Sequence, residues 1–216
     1  MLQAVLFDFD GTLVDTEGQY TEFWAGIGRK YLSHIPDFAQ RIKGNTLKKM
    51  YDTYFNNFDQ EQLNSLNLLR VEMEHRMTFP LVPGAEAFVR ELRNHDVRTA
   101  IVTSSDRLKM ENPRRKIPHF ISLFDQVLTA EDFRESKPSP EPYLTAAARL
   151  GADTRHCVIF EDALNGLRSA FASGMLTIAL TTENPREVVE PLSHHVISDF
   201  REMNIELLES WLGEKA

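Results

Sequence analysis

Two aspartates, Asp8 and Asp10, stand two residues apart near the start of the chain, after a short apolar run and before Gly11-Thr12. Side chains at positions i and i+2 of a strand face the same way, so both carboxylates are aimed at one point where the strand gives way to a loop. Two like charges this close repel each other, and the repulsion costs stability unless a cation or a developing positive centre compensates it. The pair therefore indicates a functional site.

Two further polar clusters, Thr103-Ser104 and Glu161-Asp162, each follow a strand-like apolar run. In open α/β sheets, ligands bind beyond the carboxyl ends of the strands, so these clusters should meet the aspartate pair at one edge. Their carboxylates suit Mg²⁺, which usually keeps several waters and binds through one or two carboxylates plus a phosphate. With one candidate lysine, Lys137, the set supplies what phosphoryl transfer needs: charge neutralisation, groups that hold the phosphoryl oxygens and an attacking aspartate.

The elements that must position these residues follow from hydrophobic periodicity. Residues 3–8 are apolar on both faces, which predicts a buried central strand. After residue 80, strands alternate with helices, and this alternation predicts a mostly parallel sheet covered on both faces. The further predicted strands are 97–103, 124–129, 157–160, 176–180 and 195–197, and the predicted helices are 84–95, 140–150, 163–173, 185–191 and 203–212. A polar piece at 106–121, broken by Pro113 and Pro118, is predicted to be helical or irregular.

A helical block separates the first strand from the rest of the predicted sheet. From about residue 16 to residue 78, apolar residues recur every three or four positions, which predicts about four helices and no strand. The block is too long for a simple crossover between two strands, so we expect an inserted domain. We therefore predict an α/β core domain formed by residues 1–15 and 80–216 and a helical domain formed by residues 16–79.

The bulk composition excludes several classes of protein. The chain has 216 residues, 42% of them hydrophobic, which is enough for one sizeable core or for a core and a small second domain. Its net charge is −8 and no basic patch is present, so we expect no nucleic acid partner. No apolar run approaches the ~18 residues of a membrane span, so we expect no membrane partner and a cytoplasmic protein. The single cysteine, Cys157, excludes an intramolecular disulfide and is expected to be a buried, inert thiol.

Four segments, in order along the chain, resemble the motifs of the haloacid dehalogenase-like hydrolases. Residues 8–16 resemble motif I, Val102-Thr103-Ser104 resembles motif II, Lys137-Pro138 motif III and Glu161-Asp162 motif IV. The helical insert after motif I is similar to the C1 cap of the branch that contains β-phosphoglucomutase-like and phosphoglycolate phosphatase-like enzymes. The resemblance covers essentially the whole chain and implies a Rossmann-like, parallel-sheet α/β core with an inserted helical cap.

The resemblance implies a role for each motif residue in a Mg²⁺-dependent phosphatase reaction. Asp8 would be the nucleophile and a Mg²⁺ ligand, and Asp10 would be the general acid and base, with its backbone carbonyl on the Mg²⁺. The Thr103 hydroxyl and the Ser104 backbone N–H would hold the transferring phosphoryl group. Lys137 would bridge Asp8 and that group.

The resemblance also implies further metal and substrate contacts. Asp162 would be another Mg²⁺ ligand, and Glu161 a direct or water-mediated one. In the cap, Gly44, Asn45 and Thr46 form the segment that we expect to reach the substrate. That substrate is expected to be a small phosphorylated metabolite, such as a sugar or polyol phosphate, and the protein is expected to be a monomer.

Two cap positions favour a phosphatase over the sugar-phosphate mutase of the same branch. The mutase pattern has a histidine five residues after the last aspartate of motif I and an arginine beyond the Lys-Gly turn of the cap, and here these positions hold Tyr20 and Leu47. Lys48 or Lys49 could replace the arginine, so the mutase stays an alternative. A dehalogenase would need neither Mg²⁺ nor Asp10, and a non-catalytic module that binds phosphorylated metabolites would not need the complete set of site residues.

Overall fold

The computed structural model describes residues 1–42 and 47–215, and the chain divides into two compact units. The core unit comprises Met1–Asp15 and Phe79–Ala216, and the helical unit comprises Thr16–Thr78. Gly44, Asn45 and Thr46, which the sequence predicts to contact substrate, lie outside the described residues. No described helix combines the length and the apolar composition that a crossing of the bilayer requires.

A parallel sheet of six strands forms the centre of the core unit. In chain order the strands are β1 (Ala4–Phe7), β2 (Arg98–Val102), β3 (Gln126–Leu128), β4 (Cys157–Glu161), β5 (Leu176–Leu180) and β6 (His195–Ile197). Their order across the sheet is β3-β2-β1-β4-β5-β6. Phe7 pairs with Ile101 on one side and with Phe160 on the other, so β1 is a central strand, as its apolar residues predict.

Helices fill the helical unit and connect the strands of the core unit. Those of the helical unit are α1 (Glu17–Tyr31), α2 (Phe38–Arg41), α3 (Leu47–Tyr54) and α4 (Gln60–Arg76). Those of the core unit are α5 (Ala85–Asn94), α6 (Arg107–Lys116), α7 (Pro118–Ile121), α8 (Glu141–Leu150), α9 (Leu164–Ala172), α10 (Arg186–Val189) and α11 (Ile205–Lys215). The predicted fold class, a parallel α/β core with a helical insert, is confirmed.

Both faces of the sheet are packed, which explains why the central strands are apolar throughout. On one face Leu6 and Ile159 pack with Tyr143 of α8. On the other face the rings of Phe7 and Phe160 stack with their centroids 5.2 Å apart. Burying one large apolar side chain contributes about 1.5–3 kcal/mol, so the packing on both faces holds β1 and β4 firmly. The first residues of the loops that follow these two strands are therefore held in place by the packed strands.

The segment at 106–121 is more helical than expected, because a proline inside it does not end the helix. Helix α6 runs through Pro113 and stops only before Pro118. An internal proline removes its own backbone N–H bond and crowds the carbonyl four residues earlier. Here Pro113 is buried, and the following turn closes with the Ile117 N–H donating to the Pro113 carbonyl at 2.8 Å. Tertiary packing thus outweighs the local preference.

The helical unit has its own apolar core, in which residues of α1 to α4 pack together. Its buried residues are Trp24, Ile27, Leu32, Phe38, Ala39, Ile42, Met50, Phe55 and Leu66. A shielded ion pair within α4 joins Arg70 Nη1 to Glu74 Oε1 at 2.6 Å, and the Tyr20 hydroxyl donates to the same oxygen at 3.2 Å. The apolar residues that recur every three or four positions in the sequence thus include the buried core of this unit.

Cys157, at the start of β4, is fully buried as expected, and its thiol donates to the Asp153 carbonyl at 3.2 Å. Burial raises the pKa of the thiol to about 11, so it carries almost no thiolate at neutral pH. We therefore expect Ellman's reagent to leave the folded protein unlabelled and to label one thiol per chain in urea, with the absorbance of released thionitrobenzoate as the measurement. Rapid labelling of the native protein would contradict this expectation.

Candidate active site

The Lys137 ammonium lies where the carboxyl ends of three strands meet. Its Nζ donates to Asp8 Oδ1, just after β1, at 2.6 Å and to Glu161 Oε1, at the end of β4, at 2.6 Å. It also donates to the Val102 carbonyl at the end of β2, at 3.0 Å. The lysine side chain is only 6% exposed. One side chain thus links three segments that are far apart in sequence, at the edge where parallel α/β sheets bind ligands.

Burial and neighbouring charges determine the protonation of Asp8 and Lys137. Burial, opposed by the Lys137 ammonium and reinforced by the Glu161 carboxylate, raises the pKa of Asp8 to about 7. For Lys137, burial acts to lower the pKa, but the carboxylates of Asp8 and Glu161 outweigh it, and the pKa lies above its usual range. The lysine therefore stays charged at neutral pH.

Asp162, the residue after β4, lies against the loop that follows β1. Its Oδ1 accepts a hydrogen bond from the Thr12 hydroxyl at 2.7 Å. A Cβ atom at Gly11, whose φ is +82°, would overlap the Asp162 carboxyl group, so glycine is required there. Burial, together with the charges of Glu161 and Asp8, raises the pKa of Asp162 well above its usual range. Several carboxyl groups thus share a buried site, a condition that a bound cation relieves.

Both carboxylate oxygens of Glu161 have protein partners. Oε1 accepts from Lys137 and from the Tyr143 hydroxyl at 3.0 Å, and Oε2 accepts from the backbone N–H groups of Asp162 and Ala163, both at 2.9 Å. These contacts suit a residue that holds the lysine, and the predicted role of Glu161 as a metal ligand stays a prediction. The sequence pattern marks Tyr143 only as an apolar position of α8, so the contact of its hydroxyl with the site was missed.

Three successive hydroxyl residues follow β2, and they have different surroundings. Thr103 is buried, and its Oγ1 accepts the Ser105 backbone N–H at 3.0 Å, which fixes the turn. Ser104 is exposed. Ser105, which lies outside the predicted motifs, donates through its hydroxyl to Asp10 Oδ2 at 3.1 Å. The run of three hydroxyl groups was the available signal for Ser105.

Asp10 has a second partner in α6. Lys109 Nζ donates to Asp10 Oδ2 at 2.8 Å. The sequence gives no signal for this contact, because the polar segment at 106–121 contains several basic residues and nothing indicates which of them turns toward the site.

The acidic residues of the site fit a small, hard divalent cation. The side chains of Asp8 and Asp162, both buried, offer oxygen atoms, which such cations prefer as ligands. Within residues 1–42 and 47–215, no three Asp, Glu, His or Cys side chains form a metal site by themselves. Mg²⁺ does not need such a cage, because it usually binds one or two carboxylates, waters and a phosphate group. The burial of the Asp8 and Asp162 carboxyl groups beside that of Glu161 is the observation that favours a cation here.

Known proteins resemble the chain over most of its length. A family model described as haloacid dehalogenase-like hydrolase matches residues 5–180. The chain is 29% identical over 196 residues to validoxylamine A 7'-phosphate phosphatase from Streptomyces hygroscopicus subsp. limoneus, with 88% of this chain and 90% of that protein covered. It is 28% identical over 188 residues to hexitol phosphatase A from Escherichia coli (strain K12), with 85% of this chain and 86% of that protein covered. The crystal structure of a HAD hydrolase, family IA, variant 3, from Entamoeba histolytica HM-1:IMSS matches with a TM-score of 0.85 and 25% identity, covering 98% of this chain and 100% of that one.

Proposed function

The chain belongs to the haloacid dehalogenase-like hydrolase family and is a phosphatase, and we propose that it uses Mg²⁺ to hydrolyse a small phosphorylated metabolite through an aspartyl-phosphate on Asp8. The observation that carries the proposal is the buried Lys137 ammonium, which is bonded to both Asp8 and Glu161. A lysine fixed beside a carboxylate at the ligand-binding edge of the sheet is suited to receive a phosphoryl group on that carboxylate.

Asp8 is the nucleophile in the proposed reaction. Its carboxylate oxygen attacks phosphorus, the bond between phosphorus and the leaving oxygen breaks, and Asp10 gives a proton to that oxygen. A water molecule then attacks the phosphorus of the aspartyl-phosphate, passes a proton to Asp10 and releases inorganic phosphate from Asp8. The two steps return both aspartates to their starting protonation states.

The negative charge of the transferring phosphoryl group needs donors around it. The ammonium of Lys137 contacts Asp8 and therefore lies beside any phosphoryl group attached to that residue. We assign the Thr103 hydroxyl and the Ser104 backbone N–H to the other phosphoryl oxygens, because both residues leave β2 at the same edge of the sheet. Glu161 acts through Lys137 and is a positioning residue.

The proposed Mg²⁺ site uses the side chains of Asp8 and Asp162 and the backbone carbonyl of Asp10. When bound, the cation neutralises the charge of the phosphoryl group and of the crowded carboxylates. Glu161 is assigned a water-mediated contact with it, because both of its carboxylate oxygens already accept hydrogen bonds within the protein.

The substrate that we propose is a phosphorylated carbohydrate or polyol, in line with the similarity to hexitol phosphatase A. The mutase alternative has less support from the helical unit. Tyr20, where the mutase pattern has a histidine, donates to Glu74 within this unit. Lys48, a candidate substitute for the mutase arginine, is paired with Asp52 at 2.6 Å, and its side chain is 86% exposed.

Release of inorganic phosphate from p-nitrophenyl phosphate and from hexitol phosphates is expected to require Mg²⁺. Chelation by EDTA should lower the rate by at least about 100-fold, and added Mg²⁺ should restore it, because the cation neutralises the transferring group. Phosphate release with and without the chelator measures the effect. Equally fast turnover in EDTA would contradict the metal requirement. Conversion of β-glucose 1-phosphate in the presence of the sugar bisphosphate, without phosphate release, would instead indicate the mutase.

A further inference from the structure

Lys109 lies beside Asp10, and the proposed reaction gives Lys109 no role. Its Nζ lies 2.8 Å from Asp10 Oδ2, and the Ser105 hydroxyl donates to the same oxygen at 3.1 Å. Only 19% of the Lys109 side chain and 18% of the Asp10 side chain are exposed. In the surface pair of Lys48 and Asp52, by contrast, the side chains are 86% and 63% exposed. Because water and salt weaken an exposed pair, the shielded pair restrains its carboxylate far more strongly.

The position of Lys109 in α6 is not explained by helix stability. Asp106 is the N-cap residue of α6, and its Oδ1 accepts the Lys109 backbone N–H at 2.7 Å, which places Lys109 in the first turn. A cation is disfavoured there, because the helix dipole is positive at that end. The basic residues of the last turn lie where the dipole favours them. The charge of Lys109 has its partner outside the helix, in Asp10.

We propose that Lys109 is a positioning residue for Asp10, and this inference rests on the proposed phosphatase function. Two donors on Oδ2 restrict rotation of the carboxyl group, and a fixed Oδ2 fixes the direction in which Oδ1 points. A general acid must lie within hydrogen-bond reach of the leaving oxygen, and a displacement of about 1 Å costs about 100-fold in rate. Lys109 also neutralises the carboxylate that Asp10 becomes once its proton has gone to the leaving oxygen.

Leaving groups that differ in their need for a proton test this role. p-Nitrophenolate departs readily without protonation, whereas phenolate depends far more on a general acid. Lys109→Met, which keeps the length of the side chain and removes its charge, is expected to lower kcat/KM for phenyl phosphate by about 100-fold and that for p-nitrophenyl phosphate by less than about 10-fold. Lys109→Arg is expected to have a kcat/KM for phenyl phosphate at least about 10-fold above that of Lys109→Met, because its guanidinium can also donate to Asp10 Oδ2.

Lys116→Met is the matched control, since it makes the same exchange at an exposed position in the last turn of α6 and should leave both values unchanged. Thermal unfolding of each variant separates lost positioning from lost folding, and Lys109→Gln provides the same test if Lys109→Met does not fold. Equal losses for the two substrates, or no loss, would overturn the inference and leave the phosphatase function intact. A wild-type protein that hydrolyses neither substrate would overturn the proposed function and this inference with it.

Discussion

Asp8→Asn is expected to abolish phosphate release, with kcat at least about 1,000-fold below that of the wild type. An amide is a poor nucleophile, and the substitution also removes one of the two side chains assigned to Mg²⁺. The Glu161 carboxylate is poorly placed to replace it, because its two oxygens accept hydrogen bonds from Lys137, from the Tyr143 hydroxyl and from two backbone N–H groups. Phosphate release from p-nitrophenyl phosphate at saturating Mg²⁺ measures the effect.

The same substitution is not expected to unfold the protein, for an electrostatic reason. The pKa of Asp8 rises from its ordinary value of 3.8 to about 7 in the fold, so the metal-free fold disfavours the ionised carboxylate. A group of this kind lowers the free energy of unfolding as the pH rises from about 4 to about 7, and the loss persists above that range. Asparagine removes this penalty, and the Lys137 ammonium keeps the Glu161 carboxylate as its partner, so thermal unfolding in EDTA at about pH 8 should show a variant at least as stable as the wild type.

Asp96→Asn is the matched control for the loss of activity. Asp96 is exposed in the turn before β2, at the opposite end of the strand from the site, and its φ of +57° is one that asparagine adopts readily. Its kcat should equal that of the wild type. More than a trace of turnover by the Asp8→Asn protein would exclude Asp8 as the nucleophile.

The sequence predicts which polar residues lie at the carboxyl edge of the sheet, because their positions depend on where strands end. The apolar residues before Asp8 identify β1, and parallel strands bring their carboxyl ends to one edge. Strand direction thus predicts that Asp8 and Glu161 lie at the same edge, and in the structure Lys137 donates hydrogen bonds to both.

The other contacts could not be predicted, because they depend on how helices pack. The contact of Lys109 with Asp10 depends on the rotation of α6 about its axis, which a segment with several basic residues does not determine. Tyr143 occupies an apolar position of α8, so periodicity identifies it as a core residue and gives no sign that its hydroxyl reaches Glu161. The continuation of α6 through Pro113 could not be predicted either, since the burial of Pro113 within α6 outweighs the helix-breaking tendency of proline.

Gly166→Ala is expected to lose stability, although alanine is the better helix former by about 1 kcal/mol. Gly166 is buried in α9, and a Cβ atom there would overlap the carboxyl group of Glu161. That carboxyl group cannot simply swing aside, because Lys137, Tyr143 and two backbone N–H groups hold it. Breaking a buried ion pair costs about 3–5 kcal/mol, so we expect the free energy of unfolding in urea to fall by about 2 kcal/mol or more.

The activity of the same variant should fall by at least about 100-fold, because Lys137 loses the carboxylate that keeps it beside Asp8. Gly213→Ala is the matched control, since Gly213 lies in α11 of the same unit with open space around its Cβ position. There alanine should keep full activity and leave the free energy of unfolding unchanged or slightly higher. A Gly166→Ala protein as stable and as active as the wild type would show that Lys137 keeps its place without a fixed Glu161, and the positioning role of Glu161 would then be wrong.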